Sequence, residues 1–158
     1  MKLQQVSDNC FAVLNERNRV CDANSGLINL GGGVVVDTQS DLPHARRMIE
    51  LFGKVWPGMP RRVVNTHEDG DHVWGNQLFE GAEIIASAAT AEEMKHLPAA
   101  VLAGLSAGLG SQDSDLGRFV KRAFGPFAFA EVGETKLPTR TFEKRLSLRV
   151  GERGVELF

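Results

Sequence analysis

The segment VVNTHEDGDHVWGNQLF, residues 63–79, places a dense polar cluster directly after a β-branched run. From His67 to His72 it contains two histidines and three carboxylates in six positions. The run at 62–66 predicts a short buried strand, and Gly70 interrupts the regular pattern that follows. The segment therefore predicts a strand whose carboxyl end leads into a loop of side chains that can bind a metal ion.

The sequence on either side of this loop has the order of an α/β protein. Apolar runs predict strands at 10–14, 27–30, 34–37 and 82–86, the first of them followed by a polar turn, NERN. Three- and four-residue spacing of apolar residues predicts a helix over 42–52, with Ser40 or Asp41 as its cap. Trp74 to Phe79 predicts one or two further helical turns. Ligands of α/β sheets bind beyond the carboxyl ends of the strands, where this loop begins.

The remainder of the chain predicts helices followed by a β-hairpin. Residues 88–125 are rich in alanine, leucine and glycine, and apolar spacing that includes Leu97 predicts two or three helices with a loop at 108–114. The alternating stretch TFEKRLSLRV at 141–150, the turn GERG and the run at 155–158 predict a hairpin. Without internal repeats or linkers, the chain is predicted to be one domain over 1–158 with a helical insert at about 88–138.

Composition limits the classes of function. With 158 residues, 42% hydrophobic residues and a net charge of −2, the chain is typical of a single globular domain. Basic residues form only scattered pairs, which argues against a nucleic-acid partner. Apolar tracts are shorter than the roughly 20 residues of a membrane span, and the N-terminus has no secretory leader, so a cytoplasmic protein is predicted. Cys10 and Cys21 are predicted to be buried thiols.

Four residues of the loop are candidate metal ligands: His67, Asp69, Asp71 and His72. Imidazole nitrogens and carboxylate oxygens are ligands that zinc, manganese and iron accept. One alternative is that Asp71 caps the following short helix while the histidines lie on a solvated turn. A calcium loop is a second alternative, but the oxygen ligands are too few and their spacing differs from that of a calcium-binding helix-loop-helix.

The linked motifs resemble the N-terminal half of the metallo-β-lactamase superfamily. They are NSGLINLGGGVVVDT, the helix, the loop with its variant of HxHxDH, and AEIIAS. The resemblance implies an αββα sandwich, of which this chain is predicted to form the N-terminal half, a mixed sheet with flanking helices. It implies His67 as a ligand of a first metal site and Asp71 and His72 as ligands of a second. Asp37 and Thr38 match the acidic end of a strand, where turn chemistry accounts for them.

The resemblance also implies a hydrolase that uses one or two zinc ions. A metal-bound hydroxide would attack an ester, thioester, lactam or phosphoester of a small molecule, with Asp71 orienting the water or acting as a base. Asp69 stands where the family usually has a histidine. The shorter, anionic carboxylate is expected to weaken the first site or to favour manganese or iron there.

The family's remaining ligands would lie in the second half of the sandwich, beyond Phe158, so this chain is predicted to be a partial form. His44 and His96 do not replace those ligands, since both are predicted on helix surfaces. A different class of function is a non-catalytic fold remnant or an oligomerising interaction protein. A half-sandwich exposes an apolar face that a second copy could cover, and Trp74 is predicted to belong to the core or its rim.

Overall fold

The computed structural model describes residues 1–17, 19–96 and 98–158. Asn18 of the predicted NERN turn and Leu97 of the predicted helical spacing lie outside these residues. The strands are β1 (Lys2–Ser7), β2 (Cys10–Leu14), β3 (Ser25–Ile28), β4 (Val34–Val36), β5 (Arg62–Val64), β6 (Glu83–Ser87), β7 (Arg140–Phe142), β8 (Leu146–Val150) and β9 (Arg153–Leu157). The helices are α1 (Leu42–Phe52), α2 (Gly70–Val73), α3 (Ala88–Glu93), α4 (Ala99–Gly110) and α5 (Asp115–Phe124), with 3₁₀ turns at Asn76–Leu78 and Phe129–Glu131.

The first seven strands form one mixed sheet in chain order, and β8 and β9 form a separate hairpin. Strands β1 to β4 pair antiparallel, which confirms the predicted meander, and β4 to β7 pair parallel. Val36, Val64 and Ile85 lie side by side in the parallel register. The carboxyl ends of β4, β5 and β6 therefore meet at one edge of the sheet.

The two faces of the sheet are covered by different layers. Neighbouring residues of a strand point to opposite faces, so paired apolar residues such as Val63 and Val64 serve both layers. Val35, Val63 and Ile84 pack with α1, whereas Val34, Val64 and Ile85 pack with Leu148 and Val150 of the hairpin. The result is the mixed α/β architecture that the sequence predicts.

Helix α1 follows its predicted bounds closely. Asp41 is the N-cap, and its side chain accepts a hydrogen bond from the backbone amide of His44. Pro43 lies in the first turn, where its missing amide hydrogen costs nothing. Met48, Leu51 and Phe52 face the sheet and are buried.

The helices after β6 pack beside the loop that follows β5. They share one cluster with α2 and the Phe129 turn, formed by Cys21, Val73, Trp74, Met94, Ala99, Phe127, Phe129 and Val132. Trp74 is a core residue, as predicted. Helix α4 continues to Gly110, so the loop before α5 is shorter than the predicted 108–114. Within the described ranges, no helix has both the length and the apolar character needed to cross a bilayer.

Of the one or two helical turns predicted at 74–79, the structure has one, the 3₁₀ turn at Asn76–Leu78, and the chain is interrupted before it at Gly75. Four residues of α2 precede it and the Asn76–Leu78 turn follows it. A Cβ atom on Gly75 would lie 1.9 Å from the carbonyl oxygen of Thr38 and 2.6 Å from the Cβ of Ala45. Only glycine allows this segment to approach the end of β4 and α1 so closely.

Replacing Gly75 should therefore destabilise the protein. We expect Gly75→Ala to lower the free energy of unfolding by about 2–4 kcal/mol, because the new methyl group overlaps backbone that cannot move freely. Urea denaturation followed by circular dichroism measures this change. Gly104→Ala in α4 is the control, since nothing lies within 4 Å of its added methyl. The free energy of unfolding of Gly104→Ala should be roughly 0.5–1 kcal/mol higher than that of the wild type. Equal effects of the two substitutions would contradict the packing argument.

Candidate metal centre

The candidate site lies at the edge where β4 and β5 end. Asp37 follows β4 directly, and the segment from Asn65 to α2 follows β5. The backbone amide of Thr38 donates to the carbonyl of His72 at 2.7 Å, and the amide of Asp37 donates to the carbonyl of Val64 at 2.9 Å. The two chain segments are thus joined by backbone bonds before any side chain is considered.

Asp37 anchors the loop through its carboxylate. Its Oδ1 accepts from the backbone amide of Thr66 at 2.8 Å, and its Oδ2 accepts from the Thr66 hydroxyl at 2.7 Å. Oδ2 also accepts from Nδ1 of His72 at 2.8 Å. Asp37 is only 5% exposed, and its φ of +59° is a left-handed conformation. A buried carboxylate accepts hydrogen bonds and cannot donate them, so His72 carries its proton on Nδ1 and leaves the Nε2 lone pair available.

The Nε2 atom of His72 faces the carboxylate of Asp71. The distance from Nε2 to Oδ2 of Asp71 is 3.6 Å, and the two side chains are 21% and 23% exposed. Two ligands that each lie at 2.0–2.2 Å from a tetrahedral zinc ion are about 3.3–3.6 Å apart. A histidine that ligates a metal usually donates its other ring N–H to a carboxylate, as His72 does to Asp37. This pair therefore fits one side of a metal site.

His67 and Asp69 form a second, more exposed pair. Nδ1 of His67 lies 3.4 Å from Oδ2 of Asp69, with the side chains 39% and 63% exposed. The His67 ring lies beside that of His72, with centroids 3.9 Å apart and planes tilted by 50°. The structure thus brings all four predicted residues into one loop but divides them into two pairs. Among the residues that the structure describes, no three His, Cys, Asp or Glu side chains form a group that could hold a metal ion.

The alternative that Asp71 caps a short helix is wrong, and of the two histidines only His67, which is 39% exposed, lies on a solvated turn. Helix α2 begins at Gly70, so Asp71 lies inside it, and the N-cap residue Asp69 makes no side-chain capping bond. His72 is held by Asp37 and is mostly buried. The position of Gly70 is also fixed by packing, since a Cβ there would lie 2.2 Å from the Trp74 ring.

Two buried asparagines, Asn65 and Asn76, bond each other and the backbone of the loop. The side-chain amide of Asn76 donates to Oδ1 of Asn65 at 2.9 Å, and that of Asn65 donates to Oδ1 of Asn76 at 3.2 Å and to the carbonyl of His72 at 3.3 Å. The hydroxyl of Thr38 donates to the same Oδ1 of Asn76 at 2.9 Å. Asn76 also donates to the carbonyl of Lys136 at 3.0 Å. These bonds satisfy groups that burial would otherwise leave unpaired.

The sequence analysis did not identify these supporting residues. It assigned Asp37 to turn chemistry and gave Asn65 and Asn76 no role. The available signal was positional: a polar residue stands at the carboxyl end of each of two buried runs, and such residues meet at one edge of a parallel sheet. His44 was also misplaced, because it is half-buried and its Nδ1 lies 2.6 Å from Asp41 instead of facing solvent.

Burial and charge set the protonation of the site. Burial acts to lower the pKa of His72, but the hydrogen bond and the charge of Asp37 outweigh it and the pKa is raised. Burial raises the pKa of Asp71, and the nearby His72 only partly offsets this. Burial also raises the pKa of the Cys21 thiol to about 11, with a further contribution from the charge of Asp71. Cys21 therefore stays protonated and does not supply a thiolate.

The chain belongs to the metallo-β-lactamase superfamily. The model of that family matches residues 18–151, which is most of the chain. The match includes the loop, Asp37 and the hairpin strand β8. No curated protein sequence matches the chain.

Solved structures of that fold resemble the chain at low sequence identity. A metallo-beta-lactamase from Pontibacter korlensis has a TM-score of 0.61 and 13% identity over 99% of this chain and 59% of its own. A beta-lactamase domain protein from Burkholderia ambifaria has a TM-score of 0.60 and 18% identity over 96% of this chain and 45% of its own. A stereoselective inverting sec-alkylsulfatase from a Pseudomonas species has a TM-score of 0.63 and 17% identity over 98% of this chain and 26% of its own.

These likenesses establish the fold. At such low sequence identities they do not show which substrate this chain acts on. The chain spans less than two thirds of the length of each of these structures.

The hydrogen bond from His72 to Asp37 predicts a fixed tautomer. In the wild type, neutral His72 should carry its proton on Nδ1. In Asp37→Asn, the new amide group donates to Nδ1, because its oxygen is needed by the Thr66 amide, so the proton should move to Nε2. Long-range nitrogen–proton NMR correlations above the titration range of the imidazole report the tautomer.

Asp69→Asn is the matched control, since Asp69 lies beside His67 and makes no bond to His72. That variant should keep the Nδ1 proton on His72. A wild type with its proton mainly on Nε2 would contradict the assignment of Asp37 as the residue that orients His72.

Proposed function

We propose that the chain is a metal-dependent hydrolase, or the metal-binding half of one, with zinc held by the loop from His67 to His72. Membership of the superfamily supports a hydrolase-type fold. The observation that carries the proposal is the state of His72: Asp37 holds its Nδ1 at 2.8 Å, and its Nε2 faces Asp71 at 3.6 Å. The second distance suits two ligands of one zinc ion.

Asp71 and His72 would hold the better-formed site. They are half-buried, and His72 is fixed by a partner that is itself buried. His67 and Asp69 would contribute to a second site that is weaker, because both side chains are more exposed and Asp69 reaches less far than a histidine would. Bound zinc would supply Lewis acidity and lower the pKa of a coordinated water toward about 7.

The chain's own residues then have separate tasks. His72 and Asp37 set the ligand geometry, and the Asn65–Asn76 pair holds the backbone beneath them. Asp71 lies where it can accept a hydrogen bond from the attacking water and orient it. Catalytic zinc usually takes three protein ligands, so each pair needs a further donor. We place those donors on another polypeptide segment or chain, in keeping with the greater length of the matched structures.

The proposed reaction is hydrolysis of an ester, thioester, lactam or phosphoester in a small molecule. All four have an electrophilic centre that activated water attacks, and the open loop edge gives such a molecule access. The loop geometry does not favour one of these bonds over the others, so the reaction class is proposed as a group.

Zinc titration tests the proposal directly. We expect saturable binding to the metal-free protein by isothermal titration calorimetry. His72→Ala and Asp71→Ala should each weaken it by more than the roughly 10- to 100-fold that is typical for loss of an outer-shell partner. Glu68→Ala is the matched control, because Glu68 is an exposed carboxylate in the same loop and is not a proposed ligand. Absence of saturable binding in the wild type, or an equal loss with Glu68→Ala, would refute the assignment.

The identity of residue 69 allows a separate test of the first site. Asp69→His restores the side chain that the family usually has, with a longer reach and neutral charge. We expect this variant to hold more zinc per chain than the wild type, as measured by elemental analysis after dialysis. Unchanged stoichiometry and metal identity would show that Asp69 does not limit the first site.

An interaction protein is the second candidate function, and one observation favours it. The sheet face of β2 and β3 that the hairpin leaves open carries a shallow apolar groove of about 420 Å³. Its floor consists of small or apolar residues, among them Ala12, Gly26 and Ile28, and it ends near Asp37. An open apolar face of this kind promotes association.

Size-exclusion chromatography combined with light scattering separates the two candidates. A metal-free dimer that shows no zinc binding would favour the interaction protein. A monomer or dimer that binds zinc and hydrolyses a chromogenic ester or lactam would favour the hydrolase. Val6→Ser should reduce association only if this face is the interface, because Val6 lines the groove and is 65% exposed.

A further inference from the structure

A cleft of about 480 Å³ lies between the turn after β2 and the start of α1, outside the metal loop. It is lined by Met1, Asn15, Glu16, Arg17, Arg19, Pro43, His44 and Arg47. Three of these residues are arginines and one is a histidine, whereas Glu16 is the lone carboxylate among them. The lining is therefore unusually rich in donors that recognise oxyanions.

A buried carboxylate orients the histidine of this cleft. Asp41 is fully buried, and its Oδ1 accepts from the backbone amide of His44 at 2.8 Å and from Nδ1 of His44 at 2.6 Å. Its Oδ2 accepts from the amide of Ala128 at 2.8 Å. Burial acts to raise the pKa of Asp41, but these hydrogen bonds outweigh it and the pKa is lowered. Asp41 thus stays ionised, fixes Nδ1 of His44 as a donor, and leaves Nε2 as an acceptor that faces Arg19.

Arg19 lies beside that nitrogen. Its Nη2 is 3.5 Å from Nε2 of His44, so it donates one N–H group to the imidazole lone pair. Its Nε and Nη2 also donate to the two oxygens of Asp22 at 2.9 and 2.8 Å, which leaves the two N–H groups of Nη1 for a ligand. The Phe127 ring supports both side chains, with Arg19 4.7 Å above its centroid and the His44 ring centroid 5.1 Å away. Arg19 and His44 are therefore held in place before any ligand binds.

The other charges of the cleft are more exposed. Arg47 donates one N–H group to Glu50, and Arg17 is exposed. The carboxylate of Glu16 lies 3.7 Å from the amino group of Met1. Within the cleft, Arg19 and Arg47 retain N–H groups that point to no carboxylate of the described chain. A ligand that brings acceptors and negative charge would complete their hydrogen bonding.

We propose that this cleft binds the oxyanion group of a small molecule, a phosphate or a carboxylate, through Arg19 and Arg47. Arg19, oriented by Asp22 and by Nε2 of His44, forms the fixed part of the site, and Arg47 forms the exposed part. The site does not depend on the metal loop, because none of its residues belongs to that loop. It adds an anion subsite to the chain whether or not the proposed hydrolase activity is correct.

Phosphate titration tests the site with a defined probe. We expect inorganic phosphate to bind saturably to the full chain at millimolar concentration by calorimetry, and Arg47→Gln to weaken binding roughly tenfold, as for loss of a charge-assisted hydrogen bond. Arg46→Gln is the matched control, because Arg46 is the adjacent exposed arginine on α1 and does not line the cleft. Absence of saturable binding, or equal losses in the two variants, would overturn the proposal.

NMR of the imidazole side chains locates the ligand without any substitution. Phosphate should shift the His44 signals while those of His96 stay unchanged. The His72→Ala variant should bind phosphate as the wild type does, which separates this site from the metal loop. Shifts confined to His67 and His72 would overturn the proposal. A parallel titration with acetate distinguishes the two sources: competition with phosphate favours a carboxylate ligand, and binding of phosphate alone favours a phosphate ester.

Discussion

The carboxylate of Asp37 is the contact on which the candidate site depends. It bonds the backbone and hydroxyl of Thr66, which continues β5, and the ring of His72, which belongs to α2. One side chain therefore joins the ends of two parallel strands to the helix that carries the proposed ligands. The left-handed backbone at Asp37 costs free energy of the order of 1–3 kcal/mol, and three hydrogen bonds to a buried, charged acceptor offset this cost.

Burial of polar groups explains why the support beneath the loop is so complete. Asn65 and Asn76 are buried, 3% and 0% exposed. An amide group without a hydrogen-bond partner in such a place lowers the free energy of unfolding by roughly 1–3 kcal/mol, a large part of the net stability of a domain. The two side chains bond each other, and Asn76 also bonds the Thr38 hydroxyl and the Lys136 carbonyl. Each of the two buried amide groups therefore has a hydrogen-bond partner. Through the bond to the Lys136 carbonyl, Asn76 also holds the segment that precedes β7 against the loop.

Local periodicity explains which parts could be predicted from the sequence. The apolar runs of β2, β4 and β6 and the spacing of α1 depend on neighbouring residues, and they were correctly assigned to within a residue or two. The first arm of the hairpin was wrong, since the predicted 141–150 divides into β7, which pairs parallel with β6, and β8, which begins at Leu146. The density of ligand-type residues also located the loop. The partners of His72 and Asn76 could not be found in this way, because they are separated by tens of residues and meet only in the folded sheet. The break at Gly75 has the same origin, since it depends on contact with Thr38 and Ala45.

The short segment from Asp37 to Asp41 repeats one arrangement at both of its ends. Each aspartate is buried, each holds Nδ1 of a histidine within 2.8 Å, and each leaves the Nε2 atom of that histidine facing an open region. Between them Gln39 adopts a φ of +79° and bonds Ser25 and the carbonyl of Ala23, so the turn that separates the two pairs is itself fixed. The neighbours of the two Nε2 atoms differ. His72 faces the carboxylate of Asp71, and this pair suits a cation, whereas His44 faces Arg19 and holds a guanidinium that suits an anion. The same buried carboxylate–imidazole unit thus presents a candidate metal ligand at one end of the segment and orients an arginine at the other.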